Sequence, residues 1–230
     1  MSTTSIEQPK SFAAAVLPRY HGPLVKIRIQ PSDREYTISK SLLCAKSQVF
    51  STMFNSNFLE SKTQTATIEE MEGVISVRSL EALFQWLYLG IIKFEIDSNH
   101  HEEHISAAIE LARLADKYDI TGLGVATVRY IKKQLSASVS GYHTHLTPEH
   151  NISGLLLPQG HTLRRVLAAA CISNFLRPAD HKFKKETEDY PTFAADLLKE
   201  VKTALDRSSK CDIHLEDPIS GRSTYVLKDL

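Results

Sequence analysis

Val25, Ile27 and Ile29 alternate with Lys26 and Arg28, the period-two signature of a strand with one buried face. Pro31-Ser32-Asp33 supplies a turn, and Tyr36 and Ile38 resume the alternation, so the pattern predicts a hairpin. The period then lengthens. Ser39 stands where it would cap a helix turning Leu42, Leu43 and Ala45 inward, and Ser47 would cap a second helix carrying Val49, Phe50, Met53 and Phe54. Residues 65–71 read as another strand. Leu80, Leu83, Phe84 and Leu87 fall at i, i+3, i+4 and i+7 behind Ser79, which predicts an amphipathic helix ended by Gly90. Ile92, Phe94 and Ile96 alternate with Lys93 and Glu95 and predict a short strand. Two helices follow over 105–118 and 122–135, with apolar stripes wide enough to be buried on more than one side.

Beyond Leu135 the pattern changes. Residues 136–160 are rich in Ser, Thr, His, Gly and Pro, a composition that predicts a linker or long loop. Leu163, Val166, Leu167 and Ala170 then form one helical stripe, and Phe193, Leu197, Leu198, Val201 and Leu205 a second that starts near Pro191. The run from His181 to Asp189 mixes Lys182, Lys184 and Lys185 with Glu186, Glu188 and Asp189, which reads as a solvated connection. Ile213 and Leu215, turn-prone Asp217-Pro218 and Gly221, and then 225–227 predict a terminal β-hairpin. The resulting organisation is a flexible leader over 1–21 with a short helix over 11–17, an α+β domain over 22–135, and a linker over 136–160. A helical extension over 161–207 and a tail over 208–230 complete it.

Composition narrows the possible functions. Hydrophobic residues make up 42% of 230, enough for a sizeable core, while 27 basic and 27 acidic side chains cancel. A nucleic-acid binder normally carries a clustered cationic excess, so no nucleic-acid partner is expected. Cys44, Cys171 and Cys211 are too scattered for a disulfide framework or a metal site and fit a reducing compartment. The first ten residues lack the apolar core of a secretory signal, and no apolar run would span a bilayer. The expectation is an intracellular protein of nucleus or cytoplasm, without a membrane partner.

At this level particular strings acquire meaning. Lys40-Ser41-Leu42-Leu43-Cys44-Ala45-Lys46-Ser47-Gln48-Val49-Phe50 resembles the BTB/POZ segment in which a Leu-rich helix leads into a Ser-x-x-Phe turn. Met53-Phe54 with Phe58-Leu59-Glu60-Ser61 is similar to the next stretch of that family. The span 83–90, ending Trp-Leu-Tyr-x-Gly, resembles its central helix, and Leu114-Ala115-Asp116-Lys117-Tyr118 its Leu-Ala-Asp-Lys-Tyr string. The four appear in order, and together with Ile75-Ser76-Val77-Arg78 their style is most similar to BTB proteins of filamentous fungi. The resemblance implies a small sheet flanked by helices and a non-catalytic protein-interaction module that self-associates or serves as an adaptor.

The same resemblance supplies candidate surfaces. Adaptors that recruit a cullin ubiquitin-ligase scaffold often carry a hydrophobic-x-Glu triplet, which Phe58, Leu59 and Glu60 match, with Met53 and Phe54 beside it. A homodimer interface would draw on Phe12, Val16, Leu17, Leu24 and Leu42. The family often has Asp before the first strand and His before the first helix, where this chain has Leu24 and Ser39, although Lys40 keeps a basic position. That departure argues against a corepressor-type pocket, and no zinc-finger spacing follows the domain. An orphan structural dimer and a transcription-related scaffold are the alternative non-catalytic readings.

A metal-dependent enzyme is the rival class, suggested by ten histidines. His100 and His104 have the spacing of a helical zinc motif, but His101 stands where that chemistry needs Glu. His100, His101 and His104 with Glu102 and Glu103 read instead as a solvated loop and first helical turn. His143, His145, His150 and His161 fall in or beside the predicted linker. No nucleophile elbow or Gly-rich phosphate loop occurs. Neither catalytic residues, nor a cofactor, nor a metal are therefore expected.

Overall fold

The computed structural model describes residues 20, 22–137, 145–176 and 182–207, together with the backbone of two strands at 213–216 and 223–226. The predicted helix over 11–17, the dimer candidates Phe12, Val16 and Leu17, and His143 lie outside them.

Strands β1 (Leu24–Gln30) and β2 (Arg34–Ser39) form the predicted hairpin. Strand β3 (Thr65–Glu69) runs parallel to β1 on its other side, giving the order β2-β1-β3. Val25, Ile27 and Ile29 face the core with Ala66 and Ile68, and Lys26 and Arg28 face water, where both meet Glu35. The crossover from β2 to β3 is made by α1 (Lys40–Lys46), α2 (Gln48–Asn55) and the short α3 (Leu59–Thr63). Ser39 caps α1 by accepting from the Leu42 amide, and Ser47 caps α2 by accepting from that of Phe50.

Helix α4 (Val77–Leu89) starts two residues before Ser79, the predicted start. Ser76 and Ser79 close a reciprocal cap there, and Gly90 takes the left-handed conformation at its end, φ +70°. Helix α5 (His101–Lys117) is buried over most of its surface: Ile105, Ala108, Ile109, Leu111, Ala112 and Leu114 are all in the core, and Glu102, Glu103, Ser106, Asp116 and Lys117 are exposed. Helix α6 (Leu123–Leu135) packs along it.

Three readings of the sequence need correction. Residues 92–96 form no strand: their alternation is one of burial, with Phe94 edge-on to Tyr130 at 5.3 Å between ring centres. No strand among the described residues lies alongside, and the Lys93 amide donates to the Gln85 side chain instead of a ladder. Secondly, the predicted linker contains helix α7 (Pro148–Leu155), begun by Pro148 at its first position and a reciprocal cap between Thr147 and His150. Thirdly, His104 is not solvated. It is buried, with Nδ1 2.7 Å from the Tyr130 hydroxyl and Nε2 3.2 Å from the Asp97 carbonyl.

The extension adds α8 (Thr162–Phe175), α9 (Lys184–Asp189) and α10 (Pro191–Arg207). The mixed-charge run is thus partly helical, with none of the α9 residues buried. Helices α8 and α10 are locked by Arg164, whose Nε and Nη2 donate to Asp196 at 2.8 and 2.6 Å while Nη1 donates to the Leu157 carbonyl at 3.1 Å. In the tail, β4 (Ile213–Glu216) pairs antiparallel with β5 (Ser223–Val226).

Candidate functional site

Helix α2 carries two apolar stripes, each with residues four apart, and packing assigns them opposite duties. Phe50 and Phe54 turn inward, and Phe50 stacks on Tyr118 with ring centres 4.6 Å apart. Gln48, Val49, Thr52 and Met53 turn outward and form one wall of a surface groove of about 550 Å³. Phe58, Glu60 and Asp119 complete the lining.

Each part is held by the chain around it. Phe58 is the extended residue that caps α3, and its ring is left 57% exposed, an unusual placement for a large aromatic. Asp119 reaches the groove from the turn between α5 and α6. Ser47 donates to the Tyr118 carbonyl at 2.5 Å, Ser47 and Ile120 form a backbone bridge, and the Thr121 amide donates to the Lys46 carbonyl at 2.8 Å. Asp119 itself sits at φ +47°, a region that Asp and Asn tolerate better than most residues. No hydrogen bond or ion pair among the described residues engages the Glu60 or the Asp119 carboxylate.

Of the five residues expected at a partner contact, the fold brings Met53, Phe58 and Glu60 together at the groove. Leu59 is 72% exposed but does not line it. Phe54 is a correction: it is fully buried, because the i+4 spacing from Phe50 places it on the core stripe. Gln48, Val49, Thr52 and Asp119 were not anticipated. The first three share a helix face with Met53, a pattern the helical period would have exposed, whereas nothing local to Asp119 announces its position.

The remaining dimer candidates separate as well. Leu24 is exposed at the start of β1, whereas Leu42 is on the buried face of α1. Near Leu24, Tyr20 lies edge-on to Tyr88 and donates to its carbonyl at 3.2 Å, and Leu89 and Ile91 are exposed.

A second cavity, about 540 Å³, lies where α4 and α5 meet α7. Arg78 spans it to Glu110 at 2.7 Å and Glu103 at 3.6 Å. His150 closes one side: its Nδ1 accepts from the Thr147 amide at 3.0 Å, so the ring proton sits on Nε2, 3.0 Å from the Glu102 carbonyl and 2.9 Å from the Ser106 hydroxyl. Burial pushes the His150 pKa below the ordinary imidazole value. His161 caps α8, and burial lowers its pKa too. These histidines are built into helix caps. The Cys171 thiol is buried beside Asn151, and burial pushes its pKa up to about 12, far from a nucleophile's range. Among the described residues no group of three His, Cys, Asp or Glu is placed to hold a metal ion, and no helix is long and apolar enough to cross a membrane.

Comparison with known proteins agrees with this architecture. The chain is 30% identical over 115 residues to a BTB/POZ domain-containing protein of Arabidopsis thaliana, an overlap of 50% of this chain and 32% of that protein. It therefore spans about a third of the length of this plant relative. The family model described as BTB/POZ domain matches residues 19–135, which holds the whole of the sheet, α1 to α6 and the groove. With more than half of its length inside that match, the chain belongs to the BTB/POZ domain family, whose members are generally non-catalytic protein-interaction modules.

Proposed function

We propose that this chain is an adaptor that seats a partner protein in the groove along α2 and α3, with a cullin scaffold as the partner to test first. One observation carries the reading: Phe58 and Glu60, the triplet residues that resemble cullin-recruiting relatives, both face an open, mostly apolar groove instead of covering the sheet. A half-exposed aromatic beside Val49 and Met53 offers the desolvated anchor that dominates protein interfaces, and the carboxylate beside it fixes register. The extension over 161–207 would hold a client or brace the domain, and the protein would act inside the cell, in nucleus or cytoplasm.

The test is capture of a cullin amino-terminal domain by the full chain. Phe58→Ala with Glu60→Ala is expected to abolish most of it, and capture that survives the double change unaltered would rule the groove out.

Self-association is a second reading, favoured by the exposed apolar side chains of Tyr20, Leu24, Leu89 and Ile91 at the other end of α4. Sedimentation would then give a dimer, reduced to monomer by Leu24→Lys with Leu89→Lys. An unchanged dimer would exclude this patch.

A further inference from the structure

We infer that Glu60 and Asp119 set the charge pattern and register of the groove's occupant: an amphipathic helix of a partner protein, with an apolar stripe between two basic side chains about two turns apart. The inference rests on reading the groove as a docking site, and it adds Asp119 as a specificity-determining residue.

The two carboxylates bracket α2. Asp119 is tied to its amino-terminal end through the Ser47–Ile120 bridge and the Thr121–Lys46 hydrogen bond. Glu60 follows its carboxyl-terminal end, after Phe58. Eight residues separate the ends of α2, which at about 1.5 Å per residue is roughly 12 Å. A second helix lying along α2 covers the same distance in about two turns of 5.4 Å. Residues at i and i+7 of such a helix share a face, so both cations can reach the rim while the residues between them rest on Val49, Met53 and Phe58.

Several carboxylates elsewhere in the chain are neutralised by a cation, whereas the two that line the groove meet none among the described residues. Glu35, Glu81, Glu110, Asp196 and Glu200 are each paired with a Lys or Arg. The cation nearest in sequence to α2, Lys46, is directed over the Trp86 ring at 5.7 Å, and Lys40 donates to the Phe54 carbonyl. The groove lining thus combines apolar side chains with two carboxylates and no cation. Like charges on a partner would be repelled at both ends, and an apolar helix without cations would leave two carboxylates half-desolvated.

The experiment uses the full chain and three synthetic helical peptides sharing one apolar stripe. One carries Lys at two positions seven apart, one carries Lys at positions four apart, and one carries Glu at the positions seven apart. Fluorescence anisotropy at low salt is expected to rank the first tightest, by about tenfold over the Glu peptide. Asp119→Asn and Glu60→Gln should each weaken it about three- to fivefold, and added salt should shrink both effects. Asn is the right replacement because it keeps the tolerance for positive φ that Asp119 needs. Equal affinity of the three peptides, no binding by any of them, or an Asp119→Asn variant with unchanged affinity would each overturn the inference. Cullin capture run in parallel separates the two claims. Capture that ignores Asp119→Asn overturns the register assignment and leaves the adaptor reading intact. No capture, with the paired-Lys peptide still bound, does the reverse.

Discussion

Replacing Ser47 by Ala tests how the groove is held. The Ser47 side chain is buried and does two things at once. It accepts from the Phe50 amide at 3.0 Å, capping α2, and it donates to the Tyr118 carbonyl at 2.5 Å, across 71 residues of sequence. Loss of a Ser cap costs about 1 kcal/mol. Stranding a buried carbonyl that has lost its donor costs roughly 1–3 kcal/mol. The sum for Ser47→Ala is about 2–4 kcal/mol, a large share of a typical domain's stability. Glycine caps almost as well as Ser, so Ser47→Gly should retain most of the cap and lose only the tether. Urea unfolding followed by the fluorescence of the single tryptophan, Trp86, reports on this half of the chain. The expected result is a lower midpoint with an unchanged slope for both variants, Gly falling less than Ala. Because the tether also positions Asp119, both variants should bind the paired-Lys peptide more weakly even where they remain folded. A loss under about 1 kcal/mol for Ser47→Ala, with the slope unchanged, would refute the argument that this hydroxyl couples α2 to the α5–α6 turn.

Three further perturbations address the part of the chain from α7 onward. Lowering the pH should destabilise it. Burial holds the His150 pKa below the unfolded value of 6.5, despite opposition from Glu102 and Glu149, so the unfolded chain takes up more protons below that pH. Stability should fall by up to about 1.4 kcal/mol per pH unit as pH drops below 6.5 and level off beneath the folded pKa, with a shallower slope in His150→Gln; equal slopes by thermal unfolding would assign the effect to other groups such as His161. Gly154→Val should cost about 1–3 kcal/mol, because even a Cβ there would lie 2.6 Å from the buried Leu167 Cδ1; circular-dichroism melting checks it. Asp196→Ala should cost about 3–5 kcal/mol by leaving the Arg164 guanidinium buried and unpaired, and adding Arg164→Met should recover most of the loss in the same melt.

What could be read from the sequence was what short range decides. The β1 alternation, the Ser39 and Ser47 caps and the Gly90 stop each rest on residues within one turn or one strand, and each is found where expected. Helix α7 was hidden because its own signals, Thr147, Pro148 and His150, sit in polar surroundings with few apolar residues to mark a period. The alternation over 92–96 was real but ambiguous, since period two reports facing and not pairing. At the groove, Phe58 and Glu60 were legible as a triplet. Val49 with Met53 and Phe50 with Phe54 are two equivalent stripes until something packs on one of them. Asp119 becomes a groove residue only through contacts that cross most of the domain.

Those contacts join two of the strings that resemble the BTB/POZ family. The Ser-x-x-Phe turn and the Leu-Ala-Asp-Lys-Tyr string are far apart in sequence but form one joint: Phe50 stacks on Tyr118, and Ser47 holds the carbonyl of that same tyrosine. Each half needs the other. Without Tyr118 the Phe50 ring loses the closer of its two stacking partners, and without the Ser47 hydroxyl the turn after α5 keeps only backbone contacts to the start of α2. The groove is built from the immediate neighbours of this joint, Gln48 and Val49 beside Ser47 and Asp119 beside Tyr118. Its shape is therefore inherited from the residues that make the fold, whereas the charges at its rim, Glu60 and Asp119, engage no described residue in a hydrogen bond or ion pair and can be neutralised as Gln and Asn without removing a contact that holds it. If the joint sets the groove and the rim sets the partner, Ser47→Ala should lower stability and affinity together, while Asp119→Asn should lower affinity alone.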